Sequence, residues 1–313
     1  MSEEAIERAA AVLGDRARRD VPLGPLTTYG VGGPAALFLE NCDPDDLALA
    51  REAVAASGVP VLIIGRGSNL LVAERGFPGL ALTLGEDFTA IHREDQETLV
   101  RAGGGLSLPV LARRTAALGL RGLEWAVGVP GTVGGGVRMN AGGHGSDIAA
   151  TLVRAWLFDL AGGGSGGAVE VPAADLDLGY RRSAVGLTQV VVAAEFSLTP
   201  GDRAEAEAEI VAVVKWRREH QPGGSNAGSV FANPPGDSAG RLIEAAGLRG
   251  HRRASASVSP KHANFFQVDA GGSADDVWAL IEEVQATVKS RFGIELTVEN
   301  RLIGFDISPS SGG

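Results

Sequence analysis

The sequence has a single cysteine, Cys42, so no disulfide can form within one chain. A lone cysteine is ordinarily a buried, inert thiol, and its isolation fits a reducing compartment. No apolar run approaches the roughly 18 residues needed to cross a bilayer. The N-terminal segment begins acidic and reads as an amphipathic helix, where an export signal would be basic. These absences predict a soluble, cytoplasmic protein with no membrane association.

Basic residues are also scarce, since 28 Lys and Arg face 38 Asp and Glu and leave a net charge of −10. No basic block is longer than a pair, which excludes the electrostatic signature of a nucleic-acid-binding protein. We also predict no obligate protein partner. No metal site is expected, because the histidines lack metal-ligand spacing and no cysteine cluster accompanies them: His92, His144, His220, His251 and His262.

Length and pattern predict more than one domain. Residues 35–83 alternate strand-like and helix-like segments, and the first predicted domain is 1–83. Residues 97–200 have mainly strand-like patterns, and the second predicted domain is 84–221. From 222 to 305 the pattern restarts as a separate α+β domain, and 306–313 is a tail that we expect to be disordered.

Several elements carry clear start and stop signals. Asp43 is expected to cap a helix that has Pro44 at its first position and ends at Gly58. Another helix follows Ser107, and 203–219 is predicted to be helical. In the last region the pattern predicts two helices, 238–247 and 273–293, and three strands, at 229–234, 264–268 and 294–304.

The stretch GVPGTVGGGVRMNAGGHG, residues 128–145, is unusually rich in glycine. A flexible linker is one interpretation, but apolar residues such as Val133 and Met139 interleave with the glycines. The alternative is a folded loop whose free backbone amides face an anionic ligand. On that hypothesis a Cβ at Gly134 would occupy the ligand's space and would be penalised at positive φ.

A second glycine-rich turn, Gly65-Arg66-Gly67-Ser68-Asn69, lies between two apolar strands. Its amides, with the hydroxyl and carboxamide of Ser68 and Asn69, could form an uncharged phosphate site, although a capped structural turn is an equal alternative. GGGSGG at 162–167 matches nucleotide-binding patterns only because it is nearly pure glycine. It joins two predicted strands and is interpreted as a hairpin loop. Two hydroxyl-bearing turns favour a diphosphate ligand.

The two turns resemble the flavin-binding half of the UDP-N-acetylenolpyruvoylglucosamine reductase family. The resemblance is carried by TTYGVGG at 27–33, GRGSNLLV at 65–72, VPGTVGG at 129–135 and MNAGGHG at 139–145. It continues with GYRRS at 179–183, AGSVFANP at 227–234, AGRLIE at 239–244, VSPKHA at 258–263 and TVENRLIG at 297–304. The resemblance spans roughly residues 21–305, and the chain resembles the shorter of the two family types.

This resemblance implies an α+β protein with a two-subdomain FAD-binding fold of the vanillyl-alcohol oxidase type, followed by a C-terminal α+β substrate-binding domain. The implied cofactors are FAD and NADPH, and the implied substrate is UDP-N-acetylglucosamine enolpyruvate. NADPH reduces the flavin, which passes hydride to the enolpyruvyl ether and gives UDP-N-acetylmuramate for peptidoglycan synthesis. The cofactor supplies the hydride chemistry, while the protein positions the reactants and neutralises charge.

The resemblance also assigns residues. Arg181 would hold the substrate carboxylate and stabilise the developing negative charge, Glu299 would assist it, and Ser229 would deliver the proton. The implied substrate contacts are Tyr180, Asn233, Lys261 and His262. The implied cofactor contacts are Arg66, Gly67, Ser68, Asn69, Leu70, Gly131, Thr132, Gly134, Gly135, Asn140 and Gly145.

The sequence departs from the family pattern at a few positions. Ala232 stands where a polar residue is common, Asn300 interrupts the commoner Glu-Val-Arg, and Gly223-Gly224 replaces larger residues. Two alternatives stay open at this point. One is a divergent flavoprotein, an oxidase or a paralogue, that acts on another sugar-type substrate. The other is a non-catalytic sugar-nucleotide binder.

Overall fold

A computed structural model describes residues 3–93, 98–162 and 166–306. Its mixture of helices and sheets confirms the α+β class. The helices of this part of the chain are α1 (Glu3–Leu13), α2 (Pro44–Ser57), α3 (Leu108–Ala117), α4 (Val133–Arg138), α5 (Arg203–His220), α6 (Ala239–Ala245) and α7 (Ala274–Phe292). None of these helices is long and apolar enough to span a membrane. Beyond Asp306, the tail that we predicted to be disordered lies outside the described residues.

Most strands are short. They are β1 (Arg18–Pro22), β2 (Pro34–Cys42), β3 (Val61–Ile64), β4 (Leu70–Val72), β5 (Phe77–Leu84), β6 (Ile91–His92), β7 (Leu99–Gly103), β8 (Leu120–Arg121), β9 (Gly142–Gly143), β10 (Ser146–Asp147), β11 (Leu152–Asp159), β12 (Val169–Pro172), β13 (Gln189–Ser197), β14 (Thr199–Pro200), β15 (Arg252–Arg253), β16 (Ala256–Val258), β17 (Phe266–Val268) and β18 (Arg301–Ile303). The larger sheets have the strand orders β1-β2-β5-β3, β12-β11-β13-β7-β6 and β15-β16-β17.

The described chain divides into two compact units. The first contains the chain up to Arg19, Ala36–Arg66 and Pro78–Arg217. The second contains Asp20–Ala35, Gly67–Phe77 and the chain from Arg218 onward. The units interleave along the sequence, whereas the predicted domains are continuous segments, so the division at residues 83 and 221 stays a prediction.

The first unit has two separate hydrophobic clusters. One lies around α1, α2 and the buried positions of β2 and β5, such as Leu37 and Leu80. Strands β3 and β5 pair in parallel there, with Val61 opposite Leu80. The other cluster lies between α3, α4 and the antiparallel sheet of β7, β11 and β13. Strands β11 and β12 pair antiparallel, and of the predicted hairpin loop at 162–167, residues 163–165 lie outside the described residues.

The boundaries of α2 confirm the sequence signals. The Asp43 carboxylate accepts a hydrogen bond from the Asp46 backbone N–H at 2.8 Å, and the Asp46 carboxylate accepts one from the Asp43 N–H at 3.2 Å. Pro44 begins the helix, and Gly58 ends it at a φ of +67°. The two carboxylates accept hydrogen bonds from backbone N–H groups that have no partner within the helix, and the glycine adopts the left-handed conformation that ends it.

The second unit is built around α6 and α7. Their apolar faces pack with Tyr29, Leu71, Phe231 and Phe266 in one buried cluster. Strand β18 pairs in parallel with β4, with Arg301 opposite Leu70. This pairing places the residues just before β18 beside the turn that precedes β4.

Three local predictions are wrong. Residues 229–234 form no regular strand and contribute only isolated bridges, from Ser229 to Phe265 and from Phe231 to Val298. Within the predicted strand 294–304, only Arg301–Ile303 is regular. The glycine-rich segment contains a helix, α4, where a loop was expected. Each difference reflects tertiary contacts that override local propensity.

Candidate active site

The turn between β3 and β4 keeps backbone amides available. Gly67 has a φ of +60°, and a Cβ there would lie 2.0 Å from the Leu26 carbonyl oxygen, so only glycine fits. Among the described residues, the backbone N–H groups of Gly67, Ser68 and Asn69 donate to no protein acceptor. Successive unpaired amides of this kind are suited to a phosphate group.

Thr28 adds an unsatisfied hydroxyl beside this turn. Its backbone N–H donates to the Gly67 carbonyl at 3.2 Å. Its Oγ1 is buried and has no hydrogen-bond partner among the described residues. Because a buried polar atom without a partner is costly, this hydroxyl fits a ligand that supplies one. The free amides and the Thr28 hydroxyl together fit the diphosphate of FAD. In the sequence, only the TTYGVGG motif at 27–33 points to Thr28.

The Asn69 side chain is committed to the protein. Its Nδ2 donates to the Glu299 carbonyl oxygen at 3.2 Å, and its Oδ1 accepts from Asn300 Nδ2 at 3.0 Å. These bonds hold the carboxamide against the protein, its backbone N–H is a further group that can face the cofactor, and the role of this side chain in a phosphate site stays a prediction. Leu70 begins β4, and Arg66 is exposed at the start of the turn.

The glycine-rich segment of the first unit offers fewer free amides than expected. The N–H groups of Val133 and Gly134 donate to the carbonyls of Leu106 and Gly104, each at 2.8 Å. The Gly135 N–H donates to the Thr132 hydroxyl at 3.2 Å, which caps α4, and the Gly131 N–H donates to Val129. These amides serve the fold, so the expectation of a ligand-facing row of amides is wrong for this segment.

Gly134 has a structural reason to be glycine that differs from the predicted one. It lies in α4 and is not among the glycines at positive φ. A Cβ would lie 3.0 Å from the Val191 carbonyl oxygen and 3.1 Å from that of Gly104. The helix therefore needs glycine because it approaches two backbone segments closely.

We expect Gly134→Val to destabilise the apoprotein. Overpacking of this kind costs about 1–3 kcal/mol, which corresponds to a fall in Tm of roughly 2–4 °C per kcal/mol. Thermal unfolding of the flavin-free protein measures the effect. Gly143→Val is the matched control, because no heavy atom lies within 4 Å of the Gly143 Cβ position. If the Gly134→Val apoprotein has the wild-type Tm but can no longer bind FAD, direct contact with the cofactor is the reason for the glycine.

Thr132 also contacts the end of β3 in this unit. A Cβ built on Gly65 would lie 2.6 Å from the Thr132 Oγ1 atom, so the chain after β3 passes directly against the N-cap of α4. Thr132 is buried. Gly145, which was also predicted to contact the cofactor, has a φ of +85° and open space around its Cβ position.

The residues after α4 hold the GYRRS segment. Asn140 is 3% exposed, and its Nδ2 donates to the Gly179 carbonyl oxygen at 3.0 Å and to Asp147 Oδ2 at 3.1 Å. Its Oδ1 accepts from the Ala149 N–H at 2.9 Å. The carboxamide that was predicted to contact the cofactor thus has protein partners for all of these groups. Its evident role is to fix the start of the GYRRS turn.

The GYRRS turn places its two arginines differently. Arg181 has a φ of +58°, an uncommon conformation for a residue with a Cβ, and Gly179 bridges to Arg182 across the turn. The Arg181 guanidinium lies 5.2 Å from the centroid of the Tyr180 ring, which is 61% exposed. Arg182 pairs with Asp177 at 3.3 Å on the surface. The sequence left Arg182 unassigned, and this ion pair accounts for it.

Ser229 and Glu299 lie on adjoining segments of the second unit. The Glu299 N–H donates to the carbonyl oxygen of Val230, the residue after Ser229, at 2.7 Å. The Asn69 contact already described holds the Glu299 carbonyl, so Glu299 is fixed at both its N–H and its C=O. The structure thus brings the predicted proton donor, the predicted acidic partner and the amide-bearing turn together within one unit.

The predicted substrate contacts of this unit are partly engaged. The Asn233 side-chain oxygen Oδ1 accepts from the Ala239 N–H at 3.1 Å, which leaves the side-chain NH₂ group for a ligand. The Lys261 ammonium donates to the Arg218 carbonyl oxygen. The His262 Nδ1 accepts from the Asn264 N–H, so its neutral ring carries the proton on Nε2. Burial chiefly, and the Arg249 charge to a lesser extent, lower the pKa of His262 and favour this neutral form.

Two protein-family models match the chain. One, described as UDP-N-acetylenolpyruvoylglucosamine reductase, C-terminal domain, matches residues 220–303. The other, described as FAD binding domain, matches residues 35–163. The first range contains Ser229 and Glu299, and the second contains both glycine-rich segments.

Relatives over nearly the whole chain agree with these matches. UDP-N-acetylenolpyruvoylglucosamine reductase 2 of Symbiobacterium thermophilum is 40% identical over 302 residues, which cover 95% of this chain and 96% of that protein. The chain belongs to the UDP-N-acetylenolpyruvoylglucosamine reductase family. The reductase of Anaeromyxobacter sp. is 42% identical over 290 residues, 91% of this chain and 88% of that one. The predicted family resemblance is confirmed.

A solved structure supports the same assignment. The crystal structure of the reductase from Thermus caldophilus has a TM-score of 0.77 and 32% identity, and the match covers 92% of this chain and 99% of that one. Since both chains match over nearly their full lengths, the fold described here is that of the reductase family. Among the described residues no group of His, Cys, Asp and Glu is arranged to hold a metal ion.

Proposed function

We propose that the protein catalyses the NADPH-dependent, FAD-mediated reduction of the enolpyruvyl ether of UDP-N-acetylglucosamine to UDP-N-acetylmuramate. The observation that carries this proposal is the juxtaposition of Ser229, Glu299 and the free amides of Gly67–Asn69 within the second unit. Bound FAD supplies the hydride chemistry, taking hydride from NADPH and giving it to the substrate. Gly67, Ser68, Asn69 and Thr28 are the residues that would hold its diphosphate.

Ser229 is proposed as the proton donor. Hydride addition at the methylene carbon leaves negative charge at the carbon that bears the carboxylate, and a hydroxyl can protonate that strongly basic centre. Ser229 is half-buried, and its segment is tied to the Glu299 segment and, through an isolated bridge, to Phe265. A fixed backbone lets the hydroxyl act from one position.

Arg181 is proposed to bind the substrate carboxylate. A planar guanidinium can form two parallel hydrogen bonds to a carboxylate and stabilise the charge that develops on it. Its left-handed backbone conformation costs about 1–3 kcal/mol and is kept only where the surroundings enforce it, which is a feature of functional sites. Asn140, which donates to the Gly179 carbonyl, is part of that enforcement. Glu299 assists through its carboxyl group.

The remaining substrate contacts fit a sugar nucleotide. The exposed Tyr180 ring offers a face to a sugar or base, and the Asn233 NH₂ and the His262 Nε2–H offer neutral donors. Lys261 contributes a positive charge for an anionic substrate. Because the protein as a whole carries a net charge of −10, such a positive charge has to be placed at the binding site itself. We place the reaction in the cytoplasm, as a step of peptidoglycan precursor synthesis that serves cell-wall formation, cell shape and division.

The proposal is tested by steady-state assay of the purified protein. We expect a flavin absorbance spectrum and an NADPH oxidation that requires the enolpyruvyl sugar nucleotide under anaerobic conditions. NADPH oxidation that requires oxygen and ignores this substrate would identify a flavoprotein oxidase. A colourless protein that cannot be loaded with FAD would identify a non-catalytic binder.

A further inference from the structure

Asn300 occupies the centre of a buried polar cluster in the second unit. It is 4% exposed, and its Nδ2 lies 3.0 Å from Asn69 Oδ1, 3.2 Å from the Ala227 carbonyl oxygen and 3.3 Å from the Ser229 carbonyl oxygen. Its Oδ1 accepts from the Tyr29 hydroxyl at 3.3 Å. One side chain thus connects four segments that are distant in sequence.

The two carbonyls bound by Asn300 flank Gly228. This glycine has a φ of +75° and no heavy atom within 4 Å of its Cβ position, so close packing does not fix its conformation, and its N–H donates to Asn226 Oδ1 at 3.2 Å. The Ala227 carbonyl belongs to the peptide plane that precedes Gly228, and the Ser229 carbonyl belongs to the plane that follows Ser229, so the two hydrogen bonds restrict the backbone on both sides of the Gly228–Ser229 pair. Those planes determine where the Ser229 side chain leaves the backbone.

Tyr29 fixes the orientation of the Asn300 carboxamide. The tyrosine is 1% exposed, and burial raises the pKa of its hydroxyl, which therefore stays a donor. A hydroxyl that donates to Oδ1 directs Nδ2 toward the three acceptors. Asn69, which takes one of these bonds, also binds the Glu299 carbonyl, so the same cluster reaches both proposed catalytic groups of this unit.

We propose that Asn300, oriented by Tyr29, is a positioning residue that holds the Ser229 hydroxyl in line for proton delivery. This proposal rests on the proposed function, since it needs Ser229 to be the proton donor. A displacement of about 1 Å in a catalytic group can cost roughly 10²-fold in rate.

The test compares Asn300→Val and Tyr29→Phe in two backgrounds, wild type and Ser229→Ala. Enzyme reduced by NADPH is mixed anaerobically with the enolpyruvyl substrate, and flavin reoxidation is followed in H₂O and in D₂O. In the wild-type background we expect Asn300→Val to slow reoxidation about 10–100-fold and to raise its solvent isotope effect. Tyr29→Phe, which removes only the hydroxyl, should act in the same direction and more weakly.

In the Ser229→Ala background the same substitutions should change the rate by less than about twofold, because residues that act through one group are not additive. Gln285→Glu is the control. Gln285 also donates a carboxamide hydrogen bond to a backbone carbonyl of this unit, that of Leu296, but has no link to Ser229. It should leave the solvent isotope effect at its wild-type value.

The positioning role is overturned, and the proposed function is kept, by either of two results. One is that each substitution slows reoxidation equally in the wild-type and Ser229→Ala backgrounds. The other is that both variants keep wild-type rates and isotope effects. A wild-type enzyme whose reduced flavin the substrate cannot reoxidise would overturn the proposed function and this role with it. If Asn300→Val does not fold, Tyr29→Phe decides the question, since it keeps the aromatic ring in place.

Discussion

Ser229→Ala is expected to keep FAD and its reduction by NADPH while product formation falls by about 10²–10⁴-fold, the loss typical of removing a positioned acid. The hydroxyl is needed only after hydride has reached the substrate. The backbone bonds that hold this segment involve the Ser229 carbonyl and the Val230 carbonyl, and neither depends on the side chain. The variant should therefore fold normally.

Separate rapid-mixing measurements of flavin reduction by NADPH and of reoxidation by substrate resolve the two steps. Ser257→Ala is a suitable control, because Ser257 is a half-buried serine of β16 in the same unit, outside the proposed site. Wild-type reoxidation and product yield in Ser229→Ala would remove Ser229 from the mechanism and leave its hydroxyl without a chemical role.

Arg181→Lys is expected to slow reoxidation of the reduced flavin by the substrate and to spare reduction by NADPH. Lysine keeps the charge and the same backbone cost at positive φ, but it loses the planar pair of donors. The slowing should approach the roughly 10²–10³-fold cost of losing one donor to a developing oxyanion. Rapid-mixing kinetics over a range of substrate concentrations separates this loss from weaker binding.

Arg182→Lys provides the matched control, since Arg182 is adjacent, exposed and paired with Asp177. It should behave as wild type in both half-reactions. Equal effects of the two substitutions, or no effect of either, would show that Arg181 belongs to a solvated basic pair and does not bind the carboxylate.

Helix boundaries were predictable wherever the signal is local. Asp43, Pro44 and Gly58 form a complete set of cap, start and stop, and α2 has those limits. The periodicity of α7 is equally strong, and the helix starts after Ser273 and stops at Gly293. In these segments propensity, capping and hydrophobic pattern all favour the same structure.

The glycine-rich segment could not be predicted in the same way. Three glycines within α4 oppose helix formation, and the sequence alone favours a loop. Two of them are explained by the close packing of α4, because a Cβ at Gly134 would meet backbone and one at Gly136 would lie 3.1 Å from Leu108 and 3.4 Å from Ile148. That reason exists only after the chain has folded.

The candidate site shows the same division. Family motifs carried Ser229, Glu299 and the GRGSN turn, but the roles of Thr28, Tyr29 and Asn300 depend on contacts between residues far apart in sequence. The Tyr29–Asn300 hydrogen bond joins positions 271 residues apart. A buried polar network of this kind leaves no periodic signal, because each member is a single residue in an otherwise unremarkable segment.

We propose that the reduced flavin passes its electrons to the enolpyruvyl ether and not to oxygen. Its most direct test is to reduce the purified protein with one equivalent of NADPH without oxygen and then to add UDP-N-acetylglucosamine enolpyruvate. We expect the flavin colour to bleach on the first addition and to return on the second, with one UDP-N-acetylmuramate formed per flavin. Flavin that stays bleached with this substrate and regains its colour only when oxygen is admitted would show that the enolpyruvyl ether is not its electron acceptor.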